Sequence, residues 1–466
     1  MTTMITRLIL LATLVAALPA AAQAQYFGRN KIQYENFDFY ILKTERFDIH
    51  AYDAENDTVI VDAGRMAERW YSRIGSVFDH EFDKRKPIIL YADQPDFHQT
   101  NTTPSTLSQA TGGFTESLKD RVVMPFAETL GDTDHVLGHE LVHAFQYDIA
   151  KDAALSGGSQ GLQRLPLWVV EGLAEYLSIG RDDPHTAMWL RDAVLRDELP
   201  EIKDLGRDPR FFPYRWGHAF WAFVGGRWGD ARVAQLYQSM AREGVDAGAR
   251  AVLATDADTL GLTWIDTTRD YYQPLLEGRD PPAEAGERTL APDIDAGEMN
   301  LSPVLSPDGT RVAFLSEKDL FTIDLFVADA RTGTVLGKLA ESERDPHFDA
   351  LAFISSAGAW SPDGRRFAFA TFTEGNGAIA VADADRRAVE LDFALDGAIG
   401  EVHSLAWSPD GASIAFSGSS RGVTDLWLLD VASGRLEKLT DDAWAELHPD
   451  FSPDGGTIAL SYASCP

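Results

Sequence analysis

Four copies of one short motif restrict the C-terminal part of this 466-residue chain to few architectures. Leu305-Ser306-Pro307-Asp308-Gly309 recurs as Trp360-Ser361-Pro362-Asp363-Gly364, Trp407-Ser408-Pro409-Asp410-Gly411 and Phe451-Ser452-Pro453-Asp454-Gly455. The serines at 306, 361, 408 and 452 stand 55, 47 and 44 residues apart. Pro-Asp-Gly makes a tight turn, because proline presets φ and glycine accepts the left-handed position. Each copy precedes an alternating strand such as Arg311-Val312-Ala313-Phe314-Leu315. Further strands follow, including Asp324 to Asp329 and Asp425 to Asp430. A period of about 40–50 residues with several short strands indicates propeller blades. The repeated aspartates could ligate calcium, but turn chemistry accounts for them. Only four motifs occur, so the ring is expected to be incomplete or unusually closed, with an exposed edge.

A second constraint lies upstream, in Gly138-His139-Glu140-Leu141-Val142-His143-Ala144-Phe145. In a helix, His139 and His143 share one face, one turn apart. Both imidazoles can then reach one tetrahedral zinc, with Glu140 beside a water on the metal. Leu137, Leu141 and Phe145 make this helix apolar, and burying two histidines and a glutamate without a metal would be costly. A catalytic zinc takes three protein ligands. The segment Leu167 to Tyr176 carries Glu171 and Glu175 four apart on one helical face. Glu171 could be the third ligand, 28 positions on from His143. Glu175 could accept the free N–H of a ligand histidine, although a plain helix-surface carboxylate is the alternative. His135 also faces the site and is read as a helix-entry histidine. His98 is read as a loop histidine.

His139-Glu140-x-x-His143 with Trp168-x-x-Glu171-Gly172-x-Ala174-Glu175-Tyr176 resembles the gluzincin branch of the zinc metallopeptidases. The resemblance implies His139, His143 and Glu171 as zinc ligands and Glu140 as general base. It also implies that Glu175 orients His139. A twisted sheet is then expected before the zinc helix, with an edge strand that pairs with extended substrate. By analogy that edge is Arg121 to Phe126, with Gly112 to Thr115 as its hairpin partner. Asp132 to Asp134 are read as the cap of the zinc helix. The resemblance further implies a helical subdomain as the other cleft wall, supplying a Tyr or His that stabilises the oxyanion. Tyr214 and His218, four apart in an aromatic helix, are the candidates; packing in an aromatic core is the alternative. The downstream repeats resemble the TolB-type, WD40-like propeller.

The remaining chain completes the plan. Residues 1–24 read as a secretory signal peptide. Arg7 is the positive start, Leu8 to Ala20 the apolar run and Ala22-Gln23-Ala24 the cleavage site. The chain carries 41 basic and 72 acidic residues, a net charge of −31. Nucleic acid and anionic membranes are poor partners for it. Cys465 is the only cysteine, so no internal disulfide forms. No later segment approaches the length of a transmembrane span. The expected fold is multidomain: an α+β zincin-like metallopeptidase domain over 25–280, a linker over 281–292 and an all-β propeller over 293–466. Within the first domain, 25–130 holds the sheet, 131–180 the zinc helices and 181–280 the helical subdomain. The expected function is that of an exported, periplasmic or secreted zinc peptidase acting on peptide or protein substrates. Its propeller would recruit substrate or a protein partner. The alternative is a non-catalytic envelope scaffold working through the propeller.

Overall fold

The first part of the chain builds a five-stranded mixed sheet around alternating apolar strands. In the computed structural model, residues 33–463 are described, apart from 53–57, 105–106, 153–164, 281, 292–295, 298, 320–322, 342–349, 353–357, 396 and 398. The expected signal peptide therefore lies outside the described residues, as do most of the residues linking the two metal helices. The strands are β1 (Tyr40–Lys43), β2 (Phe47–Ala51), β3 (Lys86–Tyr91), β4 (Phe114–Glu116) and β5 (Arg121–Pro125). Their order is β1-β2-β3-β5-β4. β2, β3 and β5 are parallel, whereas β1 and β4 pair antiparallel to their neighbours. Helix α1 (Thr58–Phe78) connects β2 to β3. It buries Ile60, Ala63, Ala67, Trp70 and Ile74 at helical spacing against the sheet and the next long helix.

This order corrects the expected edge. β5 is an interior strand, held on one side by β3 in parallel register and on the other by β4. The edge beside the helix that carries His139 and His143 is β4. The unbroken apolar run Val122-Val123-Met124 is the reason, since a strand covered on both faces has no polar side to alternate.

After the short α2 (Gln94–His98), the long helix α3 (Leu130–Asp152) follows β5. Its cap is Thr129 rather than an aspartate of 132–134. Thr129 Oγ1 accepts from Asp132 N at 3.0 Å, and the Asp132 carboxylate accepts from the Thr129 hydroxyl at 2.7 Å. Asp134 instead takes Trp70 Nε1 at 2.8 Å and Arg69 at 2.9 Å, which ties α3 to α1. Helix α4 (Leu167–Ile179) comes next, followed by α5 (Pro184–Arg196), α6 (Pro213–Trp228), α7 (Asp230–Glu243), α8 (Val245–Leu253) and α9 (Ala257–Leu276). Their core holds Trp168, Phe220, Trp221 and Trp264, all essentially inaccessible to solvent. Each such burial contributes about 1.5–3 kcal/mol. Helices α4 and α6 touch backbone to backbone. A Cβ on Gly217 would sit 2.1 Å from Trp168 O, and one on Gly172 would sit 2.3 Å from Gly217 Cα. Only glycine at both positions permits this crossing.

Beyond residue 299 the described chain is all β. Three antiparallel units of four, five and four strands follow one another. The first is β6 (Asn300–Leu305), β7 (Arg311–Ser316), β8 (Asp324–Asp329) and β9 (Val335–Ala340). The second joins β10 (Ala350–Leu351) and β11 (Ala359–Trp360) through β12 (Arg366–Thr373) to β13 (Asn376–Asp383) and β14 (Ala388–Ala394). The third is β15 (Glu401–Trp407), β16 (Ser413–Ser420), β17 (Val423–Asp430) and β18 (Leu436–Lys438). A two-stranded unit, β19 (Ala445–Phe451) and β20 (Ile458–Ala463), comes last.

The repeated motif makes the same turn four times. The serine hydroxyl donates to the aspartate two residues on, at 2.7, 2.7, 2.6 and 2.6 Å. The same hydroxyl accepts the N–H five residues on. Each motif glycine has φ between 66° and 72°. The aspartates are thus committed to their turns. Trp360 and Trp407 each donate their indole N–H to the preceding unit, at Val304 O (2.9 Å) and Ala359 O (3.1 Å). The motif therefore sets both the turn and the stacking of one blade on the next.

Candidate metal centre

Helices α3 and α4 bring three side chains to one point. His143 Nε2 lies 3.1 Å from His139 Nε2 and 3.1 Å from Glu171 Oε2. His139 Nε2 lies 3.3 Å from the same carboxylate oxygen. Tetrahedral zinc bonds of about 2.0–2.1 Å separate ligand atoms by about 3.3–3.4 Å, close to these spacings. Among the described residues this is the one group of three or more His, Cys, Asp or Glu with ligand atoms close enough to share a metal ion. Both histidines are buried and Glu171 is partly so.

The electrostatics suit a cation. Burial pushes Glu171 up, but hydrogen bonds from His139 and His143 outweigh it and hold the carboxyl below its usual range. Burial pulls His139 down, but Glu171 and then Glu175 raise it to about 10. The cluster therefore draws positive charge to the facing Nε2 atoms, whether as protons or as a metal.

A further layer of side chains holds His139 and His143 in place. His143 Nδ1 is 2.8 Å from Gln146 Oε1, which orients the ring with Nε2 toward Glu171. Gln146 is itself held by its amide on Val170 O at 3.1 Å. His139 Nδ1 lies 3.0 Å from Glu175 Oε1, an ion-pair distance although not aligned as a hydrogen bond. Glu175 is pinned in turn by Arg215, whose Nη1 is 3.0 Å from Oε2 and 3.3 Å from Asp183. His135 stands 3.6 Å from Glu175 and outside the three-residue group. Gln146 and Arg215 were not among the sequence candidates. Arg215 is one residue beyond Tyr214, but nothing in a local pattern marks it as a partner of Glu175.

Glu140 projects into a cleft of about 490 Å³ with His143, Glu171 and Tyr214. The cleft is also lined by Phe114 and Thr115 on β4, Tyr147 on α3, Leu165, and Leu167 and Val170 on α4. Tyr214 stacks on the His139 ring, 5.6 Å between centroids and 16° between planes. Burial, then the Glu171 carboxylate, raise its hydroxyl above the ordinary range, so it remains a hydrogen-bond donor. His218 is elsewhere. It is buried, and Nε2 lies 2.7 Å from Gly180 O at the end of α4. Of the two candidate donors, Tyr214 lines the cleft and His218 secures a helix terminus. His218 is one turn further along α6, about 6 Å down the axis, which takes it past the cleft to the end of α4.

The β units also contact this first domain. Gln94 N donates to Glu401 Oε1 at 2.7 Å, Thr424 Oγ1 to Glu128 O at 2.6 Å and Gln109 Nε2 to Leu351 O at 2.5 Å. A cavity of about 160 Å³ between them is lined by Gln94, Glu128, Phe372, Glu401 and His403 among others.

Residues 349–464 match the TolB beta propeller domain family, which agrees with the repeat reading and covers the last three β units. Helices α3 and α4 lie outside that match. No curated protein matches the sequence. Similar solved structures include a putative TolB from Agrobacterium tumefaciens, at 22% identity and TM-score 0.29, covering 35% of this chain and 54% of that one. TolB from Acinetobacter baumannii is similar at 23% identity and TM-score 0.30, covering 36% and 38%. An oligogalacturonate lyase from Vibrio parahaemolyticus is similar at 14% identity and TM-score 0.28, covering 35% and 45%. This chain thus spans only about half, or less, of the length of those structures. No helix among the described residues is long and apolar enough to cross a membrane.

Proposed function

We propose that this chain is a zinc-dependent peptidase of gluzincin type, joined to a propeller that recruits substrate or a partner. The observation that carries the reading is the convergence of His139 Nε2, His143 Nε2 and Glu171 Oε2 beside the carboxylate of Glu140, which is outside that group of three. A purely structural zinc site has no use for that glutamate.

His139, His143 and Glu171 would hold the zinc, which when bound supplies a Lewis acid and lowers the pKa of water. Glu140 removes the proton from the attacking water as the oxygen adds to the scissile carbonyl. Tyr214 donates its hydroxyl hydrogen to the developing oxyanion from the α6 side of the cleft. Glu140 then passes its proton to the leaving amine. Glu175, Gln146 and Arg215 keep the ligand rings oriented throughout. The chain is proposed to act outside the cytoplasm, in the periplasm or the medium, on the strength of its N-terminal segment.

A second reading has its own support. The family match falls on the propeller alone, which favours a binding or scaffold role through protein partners. In that case the metal centre would only brace α3 against α4. One comparison separates the two. Glu140→Gln should retain zinc and lose hydrolysis of casein if the chain is a peptidase. Equal turnover, or none in either protein, would favour the scaffold.

A further inference from the structure

The strand that borders the cleft also grips the proposed base. Thr115 Oγ1, on β4, lies 2.7 Å from Glu140 Oε2 and 2.8 Å from Glu140 O. One hydroxyl proton serves one acceptor at a time, and the carboxylate is the stronger acceptor. The other carboxylate oxygen is kept clear by the neighbouring position. A Cβ on Gly113 would come within 3.1 Å of Glu140 Cγ and 3.3 Å of Oε1. Thr115 thus holds one oxygen of Glu140, and the missing side chain at Gly113 leaves the space beside the other unfilled. β4 pairs with β5 on one side and ends the sheet on the other. A peptide added at that free edge lies against the strand that holds Glu140.

Resting on the peptidase reading, we infer that Thr115 is a positioning residue: its hydroxyl clamps Glu140 Oε2 so that Oε1 faces the reacting water, which keys base and substrate to one strand. The side chain touches no metal ligand atom and no reacting atom. It acts through Glu140 alone.

The test compares Thr115→Val, which keeps the shape and removes the hydroxyl, with Thr115→Ser, which keeps the hydroxyl. Crystal structures of the two zinc-loaded variants should show the Glu140 carboxylate unmoved in Thr115→Ser and swung to another rotamer in Thr115→Val. With dye-quenched casein, kcat per bound zinc should fall about 10- to 100-fold in Thr115→Val, with KM within about twofold, and recover in Thr115→Ser. An unmoved carboxylate in Thr115→Val, or equal kcat in the two variants, overturns the inference. Glu140→Gln in the same assay tests the reading beneath it. If that variant matches the intact protein, the peptidase assignment falls, while the crystallographic comparison still decides whether Thr115 clamps Glu140.

Discussion

His143 Nε2 stands 3.1 Å from Glu171 Oε2, although the two residues belong to different helices 28 positions apart. That contact joins α3 to α4 and makes the metal-binding proposal depend on how the two helices are held.

The Gln146 amide links His143 to the backbone of α4, so its loss should loosen the site without unfolding the domain. Gln146→Leu is expected to lower zinc affinity about 10- to 100-fold. Competition with a chromogenic chelator reads this directly. An unchanged affinity would mean that His143 is oriented by packing alone.

Arg215 pins Glu175, which sits under His139. Arg215→Met keeps much of the bulk and removes the donors. Zinc affinity should fall by a comparable factor, and hydrolysis with it, while the melting temperature of the zinc-loaded protein changes little. If affinity is unaffected, Glu175 holds its place without the guanidinium.

The crossing of α4 over α6 tolerates no side chain at Gly217. Gly217→Ala should cost about 3 kcal/mol or more, because neither backbone can retreat from the added methyl. Denaturant unfolding of the full chain checks this. A loss under about 1 kcal/mol would mean that the helices separate more easily than their contact implies.

Contact between the first domain and the β units should weaken as pH rises. Burial, offset in part by the bond from Gln94 N, pushes the Glu401 carboxyl up to about 7. Burial and Asp132 push Glu128 to about 7. Burial and Asp96 raise Asp93, beside Gly400. A raised carboxyl stabilises fully below its ordinary value of 4.5 and loses that contribution as pH passes through about 7. Burial pulls His403, in the same cavity, down to about 4, and that opposing contribution is complete above its ordinary value of 6.5. The melting temperature should therefore fall between about pH 6.5 and 8. Glu401→Gln should flatten the trend in calorimetry; an equally steep trend would place the pH dependence elsewhere.

Much of this arrangement was legible in the sequence where the signal is local. His139, Glu140 and His143 follow from helical spacing, and Glu171 and Glu175 repeat the same interval. The Ser-Pro-Asp-Gly turns announce the blades because each turn is closed by its own serine and aspartate. The tertiary partners were not legible. Gln146, Arg215 and Thr115 act through contacts between elements, and no periodicity encodes those. The edge strand was misplaced for a related reason. Arg121 to Pro125 has the composition of a strand, but its neighbours are set by topology. Only its unbroken apolar run hinted at an interior place. His218 shares a helical face with Tyr214, but one turn of α6 carries it beyond the cleft to Gly180, a distance that spacing alone does not decide.

The most direct measurement is zinc content by elemental analysis on the purified chain beside Glu171→Ala. One zinc per chain, lost or sharply weakened in the variant, is the predicted result. No zinc in the intact chain after zinc has been supplied, or equal zinc in both proteins, would contradict a centre built on His139, His143 and Glu171.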